Sequence, residues 1–337
     1  MQPQRDPCYS IIIPVLNEAA VLPALFARID LLMGALDASA EILFVDDGST
    51  DATGRIIAER ANADPRYRYL QLSRNFGHQA AISAGFDAAA GQAVIVMDAD
   101  LQDPPEVVLE MAAKWREGYQ VVYAQRTARQ GESRFKRWTA HWFYAALSRV
   151  AAVDIPRNVG DFRLVDRVVV DAFRAMPERD RFVRGMFGWL GFRQVAVPYV
   201  RHERAEGETK YPLFKMIRLA VSGVVSFSDA PLKLALWLGF AISCLALLVG
   251  VWAIAATLLG APGVVAGWSS TIVVVSFLCG LNMMLTGVVG IYVGRIHAEV
   301  RGRPLYVVNE RAGFDAADDA QHALAEQRRR LAQFAAR

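Results

Sequence analysis

The chain is expected to fold as an α/β domain built on a Rossmann-like, mostly parallel sheet, followed by amphipathic interface helices and a C-terminal two-helix transmembrane hairpin. Two observations predict this. The first part of the chain alternates short β-branched runs with runs of helical period, which implies strands buried between two layers of helices. From Leu234 to Gly294 there is no Asp, Glu, Lys, Arg or His. That stretch of about sixty residues could cross a bilayer core twice, at about 20 residues per crossing.

The elements follow in order. Tyr9 to Pro14 reads as a strand, Glu18 to Leu36 as a helix, Ala40 to Val45 as a strand and Asp51 to Ala63 as a helix. Tyr67 to Leu72, Ala93 to Met97 and Gln120 to Ala124 continue the strands, with helices at Gln79 to Ala90 and Pro105 to Glu117. From Arg126 to about Tyr211 the pattern loosens into basic and aromatic segments, so 1–211 is taken as one domain. Residues 212–231 read as a juxtamembrane amphipathic helix. The hairpin, 232–294, divides near 259 and 268, because Gly260, Pro262, Gly263 and Gly267 cluster between two apolar runs.

Lys215, Arg218 and Lys233 precede the hairpin, Arg295, Arg301 and Arg303 follow it, and the connecting loop carries no charge, so both ends are expected on the cytosolic side. The opening residues lack the apolar run of a secretory signal. These features predict a multi-pass protein of the bacterial plasma membrane with a cytosolic tail at 295–337. A net charge of only +3 accompanies 54% apolar residues, and no nucleic-acid partner is expected. Cys8, Cys244 and Cys279 lack metal or redox spacing.

In a sheet of this kind the chemistry sits beyond the carboxyl ends of the strands. Polar residues fall there after each strand: Pro14, Asn17 and Glu18; Asp46, Asp47 and Gly48; Ser73, Arg74 and Asn75; Asp98, Asp100 and Gln102. In Asp98-Ala99-Asp100-Leu101-Gln102, an extended backbone would point three oxygens the same way, a hard-oxygen set suited to Mg²⁺ or Mn²⁺ with positions left open for a diphosphate. The bland alternative is a solvated loop or helix cap. Val45 to Asp51 brings two acids into a glycine turn that could bond a base and ribose, although Ser49 or Asp51 could equally cap the next helix. Basic residues cluster at 126–137 and again at 193–218, as two anionic substrates or acidic lipid headgroups would require. Trp138, Trp142, Phe143 and Tyr144, then Phe182, Phe187, Trp189 and Phe192, interleave these cations and suit either a membrane interface or a core.

Ser10 to Glu18, Val45 to Asp51 and Asp98 to Pro105 together resemble the family 2 glycosyltransferases of GT-A fold. Arg126 with Gly131 to Lys136, Gly160 to Leu164, Arg201 to Arg204 and Gly207 to Pro212 resemble the polyprenyl-phosphate branch, which includes bactoprenol glucosyltransferases and dolichyl-phosphate mannose synthases. Asn158-Val159 departs from the expected pattern of an acid and a small residue. The resemblance implies that Pro14, Asn17, Glu18, Asp47, Arg74 and Asp98 hold the nucleotide, and that Asp98, Asp100 and Gln102 hold the metal. It implies that Arg126, Arg134, Lys136, Arg201, Arg204 and Lys210 hold donor or acceptor phosphates. Asp100 and Asp161 are the catalytic candidates, Asp161 either as a base or as an orienting acid.

The expected reaction is inverting transfer of a sugar, with UDP-glucose the first donor considered, onto polyprenyl (undecaprenyl) phosphate. A processive polysaccharide synthase and a non-catalytic membrane adaptor are the rivals. Arg134 stands where the synthase motif Gln-x-x-Arg-Trp needs Gln, and a scaffold has no use for clustered oxygens. Gly287, Gly290 and Gly294 allow close helix packing, in a homo-oligomer or within the hairpin.

Overall fold

A computed structural model of the chain describes residues 7–127, 159–179, 181–200, 230–259 and 268–314. Two compact units are distinguished, one holding the sheet and its helices and the other, mainly 212–301, holding two long helices.

The sheet unit runs β1 (Tyr9–Val15), α1 (Leu22–Ala35), β2 (Ala40–Asp46), α2 (Thr53–Ala63), β3 (Tyr67–Leu72), α3 (His78–Ala88), β4 (Ala93–Val96), α4 (Val107–Arg116) and β5 (Val121–Arg126). It continues with β6 (Val159–Asp166), α5 (Arg167–Ala175), α6 (Val183–Trp189) and β7 (Gln194–Tyr199). A last strand, β8 (Val308–Ala312), comes from the far end of the chain. The order across the sheet is β7-β5-β6-β4-β1-β2-β3-β8, with β6 and β8 antiparallel to their neighbours and every other pairing parallel. Ile11, Ile13, Ile42, Phe44, Ile95 and Leu164 are all buried, so the central strands are largely apolar, as a doubly covered sheet demands, with Ser10, Glu41 and Asp46 among the polar residues buried on them.

The first five strands and four helices agree with the sequence pattern to within a few residues. Helix α1 starts at Leu22 and not at Glu18, because the preceding turn is pinned elsewhere: the Glu18 N–H donates to Thr53 Oγ1 and the Ala19 N–H to Asp51 Oδ2. Two features were illegible. Strands β6 and β7 with helices α5 and α6 lie where the pattern loosens, since β6 buries Asp161 and Arg163 in place of apolar residues. Strand β8, the polar run Val-Asn-Glu-Arg-Ala, falls within what the sequence presents as a tail; it is held by Tyr69↔Ala312 and Leu70↔Arg311 pairing, and the Ser73 N–H donates to the Val307 carbonyl at 2.8 Å.

The second unit contains α7 (Ala230–Leu258) and α8 (Trp268–Val300), which touch each other. Helix α8 continues past Gly294, the end of the uninterrupted uncharged stretch, through Arg295, His297 and Glu299, because absence of charge marks an apolar span and not a helix end. It stops before Gly302 and Pro304, the residues able to terminate it. Phe277–Val300, 24 residues with mean hydropathy 1.7, is long and apolar enough to cross a membrane. A Cβ added at Gly287, Gly290 or Gly294 would meet nothing within 4 Å. The linking turn near Gly263, the amphipathic segment 212–229 and the arginine run at 328–330 lie outside the described residues.

Candidate active site

Strand β1 lies between β2 and β4. The chain moves outward from β1 to β2 and β3, then crosses back through α3 to β4, so the strand order reverses between β1 and β4. A crevice at such a switch point is where open α/β sheets bind ligands. Pro14 lies buried near the end of β1. Its missing N–H would face the β4 side, since the Ile12 carbonyl accepts there from Met97, and β4 ends at Val96, opposite Ile12. The proline therefore removes no ladder bond.

The next turn, at Asn17, joins the β1 loop to the β2 loop. Asn17 has φ of 56°, its N–H donates to Ser49 Oγ at 2.9 Å and its Oδ1 accepts from the Thr50 N–H at 2.8 Å. Asp46 is fully buried, accepting from the Ser49 N–H at 2.7 Å and from the Tyr69 hydroxyl at 3.1 Å, and so braces the turn. Asp51 accepts from the Thr53 N–H at 2.9 Å, but the N-cap position of α2 is Ala52, which makes no side-chain cap bond. Asp47 reaches further: its two oxygens accept from the Phe76 and Gly77 N–H groups at 2.7 and 2.9 Å. Burial raises the Asp47 pKa against these bonds. Gly48 completes the turn with φ of 77°, and a Cβ there would lie 2.6 Å from the Arg74 carbonyl carbon. The β2 and β3 loops thus touch backbone to backbone. Arg74 lies exposed beside them with its guanidinium 4.2 Å from the centre of the Phe76 ring.

After β4, the acids do not adopt the extended form expected of them. Ala99 and Asp100 form a turn, Leu101 has φ of 55°, and Asp100 Oδ1 accepts from the Gln102 N–H at 3.1 Å. A left-handed backbone costs a residue such as leucine about 1–2 kcal/mol. Strain of this kind collects at functional sites. Burial pushes the Asp98 carboxyl up to about 6, opposed by the His78 charge and reinforced by Asp103, Asp161 and Asp100. The Asp98 side chain nonetheless keeps 32% of its surface open. Gln102 is buried.

Among the described residues no three His, Cys, Asp or Glu side chains form a metal cage. Asp98 and Asp100 instead offer hard oxygens on a turn with excess negative charge. That fits a divalent cation completed by substrate oxygens, and it does not fit a closed structural site.

Asp161 on β6 lies beside this turn. Its buried carboxylate accepts Arg184 Nε and Nη2 at 2.8 and 2.9 Å, and Gln79 Nε2 at 3.4 Å. His78 Nε2 is 3.4 Å from Asp161 Oδ2 and 3.7 Å from Asp98 Oδ1. Burial favours the neutral acid, but the His78 and Arg184 hydrogen bonds and the Arg184 and Arg163 charges outweigh it and hold Asp161 well below the usual carboxylate range. For His78, burial disfavours the cation; the Asp161 hydrogen bond and the Asp98 and Asp161 charges prevail and raise its pKa. His78, Gln79 and Arg184 were not singled out from the sequence. The strand-end rule could have reached His78, which follows the loop after β3; Arg184 sits on the seven-residue α6 and had no such signal.

Arg126 ends β5, and its Nε donates to the Tyr199 hydroxyl at 3.1 Å while that hydroxyl donates to Asp103. Gly160 packs closely beneath it: a Cβ there would stand 3.0 Å from Arg126 Nη2, so the guanidinium would have to shift. Phe187 is wholly buried against Phe86 and Phe173, a core residue, whereas Trp189 on the same helix is 63% exposed. Arg134, Lys136, Arg201, Arg204, Lys210, Trp138 and Trp142 lie outside the described residues.

These acids gather at the switch point of a mixed, mostly parallel sheet, the place where such a fold binds a ligand. The chain belongs to glycosyltransferase family 2, whose model, Glycosyl transferase family 2, matches residues 10–174. It is 47% identical to the uncharacterized glycosyltransferase YkcC of Bacillus subtilis, over 91% of this chain and 95% of that one. It is 40% identical to the SfII prophage-derived bactoprenol glucosyl transferase of Shigella flexneri, over 89% and 97%. The prophage bactoprenol glucosyl transferase homolog of Escherichia coli is 39% identical over the same shares.

Proposed function

We propose that this enzyme transfers a sugar from a nucleotide diphosphate donor, UDP-glucose first among them, to polyprenyl (undecaprenyl) phosphate at the cytosolic membrane face. The observation that carries the reading is the Asp98 to Gln102 turn at the switch point, together with relatives named bactoprenol glucosyl transferase across nearly their whole length. In the reaction a phosphate oxygen of the lipid attacks the anomeric carbon from the face opposite the leaving group. The bond from that carbon to the donor phosphate oxygen breaks, its electron pair leaves with the nucleoside diphosphate, and the configuration inverts.

Pro14, Asn17, Glu18, Asp47 and Arg74 flank the nucleoside in this reading. Asp98 and Asp100, with Gln102, would hold Mg²⁺ or Mn²⁺, which supplies charge neutralisation to the departing diphosphate. Arg126, with Arg134, Lys136, Arg201, Arg204 and Lys210, would meet the remaining phosphate charge. The nucleophile is already an anion, so no residue need abstract a proton. An Asp161 held ionised by Arg184 agrees with an orienting role.

Membrane attachment is supported by the apolar Phe277–Val300 span. Residues before α7 and after α8 build one sheet, which supports an even number of crossings with both flanks on one face.

The test is the detergent-purified chain with Mg²⁺ or Mn²⁺, undecaprenyl phosphate and a panel of nucleotide sugars, following nucleoside diphosphate release and lipid mass. A glycosylated lipid phosphate is expected with one donor, and Asp100→Ala should abolish it with the fold intact. Absence of product with every donor, or an active D100A, refutes the reading.

A further inference from the structure

We propose that Arg184 and Gln79 are positioning residues for the transfer, filling the hydrogen-bonding capacity of Asp161 and thereby holding the His78 imidazole between Asp161 and Asp98. The inference rests on the reading above and goes beyond it by assigning a part in the transfer to Gln79 and His78 and a directional role to Arg184.

Three elements converge on one carboxylate. Arg184, from α6, grips both Asp161 oxygens in a bidentate fork. Gln79, from the first turn of α3, donates to Asp161 Oδ2 at 3.4 Å while its Oε1 accepts from the Val183 N–H at 3.0 Å. One amide therefore ties α3 to the start of α6 across the acid. His78, the adjacent residue, completes the ring at 3.4 Å from the same oxygen.

Charge balance alone does not explain the fork. Arg163 is already buried near Asp161, donating to the Gly160 carbonyl at 2.9 Å and lying 5.1 Å from the centre of the Phe187 ring. A second guanidinium adds direction: two parallel bonds fix the carboxylate plane, which a single point charge does not. The oxygen that Arg184 Nη2 holds, Oδ2, is the one His78 approaches, and His78 is the member of the group that also reaches Asp98. Asp161 faces four donor atoms on three side chains, which leaves it a poor proton acceptor and a firm anchor.

The experiment compares wild type, R184Q, R184K, H78A and the H78A/R184Q double variant in the lipid transfer assay, with thermal unfolding as the folding control. R184Q should lower kcat by up to about 100-fold, the scale of loss when a site group is displaced by about an ångström, while the donor KM stays unchanged. R184K keeps the charge without the fork and should stay closer to R184Q than to wild type; it also serves if R184Q does not fold. Because Arg184 acts through His78, the double variant should lose no more than H78A alone.

R184Q with the kcat of wild type, or losses that multiply in the double variant, overturn the proposal. So does a rise in lipid phosphate KM at constant kcat, which would make Arg184 a direct acceptor contact. A wild type that glycosylates no lipid with any donor overturns the acceptor reading and this role with it; an active wild type with an unimpaired R184Q overturns this role alone.

Discussion

Replacing Asp98 with Asn should stabilise the protein while disabling it. Burial lifts the Asp98 carboxyl from 3.8 to about 6, with the charges of Asp103, Asp161 and Asp100 adding to the effect. A lift of that size corresponds to about 3 kcal/mol at neutral pH favouring the unfolded chain. The side chain is 32% exposed, and solvent screening reduces the figure to about 1–2 kcal/mol. The sign follows from proton binding: the folded protein holds this proton more tightly than the unfolded chain does. The penalty is absent below about pH 4, grows as pH rises through 6, and is complete above it. Asparagine keeps the shape and removes the charge. At about 2–4 °C per kcal/mol, D98N should melt several degrees above wild type near neutral pH, and the gap should narrow as the pH is lowered toward 5. Mg²⁺ or Mn²⁺ should raise the melting temperature of wild type and leave that of D98N unchanged, while transfer activity collapses. Thermal unfolding of detergent-purified protein at two pH values, with and without metal, reads all of this. D98N melting at or below wild type near neutral pH, or a gap independent of pH, would show that the charge is not held at a cost and would sink the argument.

Two further outcomes follow from backbone contacts. Gly48→Ala places a Cβ 2.6 Å from the Arg74 carbonyl carbon at φ of 77°, so beyond the about 1–2 kcal/mol of conformational strain the β3 loop must move. Lower thermal stability and a raised donor KM are expected, and an unchanged KM would separate that loop from donor binding. Ending the chain at Gly302 removes β8 and with it the Val307 carbonyl that holds the Ser73 N–H. Hydrogen exchange along Tyr67 to Ser73 should accelerate and donor affinity should fall; protection equal to the full chain would show that β8 does not brace this edge.

The first five strands and their helices were legible because buried parallel strands write themselves as apolar runs and their covering helices as periodic ones. Tyr67–Leu72 coincides with its expected bounds for that reason. The same signal fails at β6, where Asp161 is buried with Arg184 and Arg163 is buried beside the Phe187 ring, charged residues at positions where an apolar run is expected. It fails at β8 because an edge strand presenting Asn309 to Gln71 needs no apolar alternation. Within the site, the strand-end rule found the positions of Asn17, Asp47, Arg74 and Asp98 but not how they are used. Asp47 and Asn17 hold neighbouring backbone, and that depends on which N–H groups the adjacent loop leaves pointing inward. Arg184 was out of reach because its meaning lies wholly in a partner 23 residues away in sequence.

The acids of this site divide by what satisfies them, and the division bears on the chemistry. Asp46 is taken up by a backbone N–H and a tyrosine hydroxyl, Asp47 by two backbone N–H groups, and Asp161 by an arginine fork and an amide. These three fasten loops and helices together. Asp98 differs, since burial and neighbouring carboxylates drive it toward protonation against the opposing charge of His78. A carboxylate left in that condition is the one a divalent cation would relieve, and the cation would in turn draw the donor diphosphate. An acid-rich crevice can therefore serve two anionic substrates: most of its negative charge is already spoken for by the protein, and the remainder lies on the turn where a metal-bound diphosphate is proposed to sit.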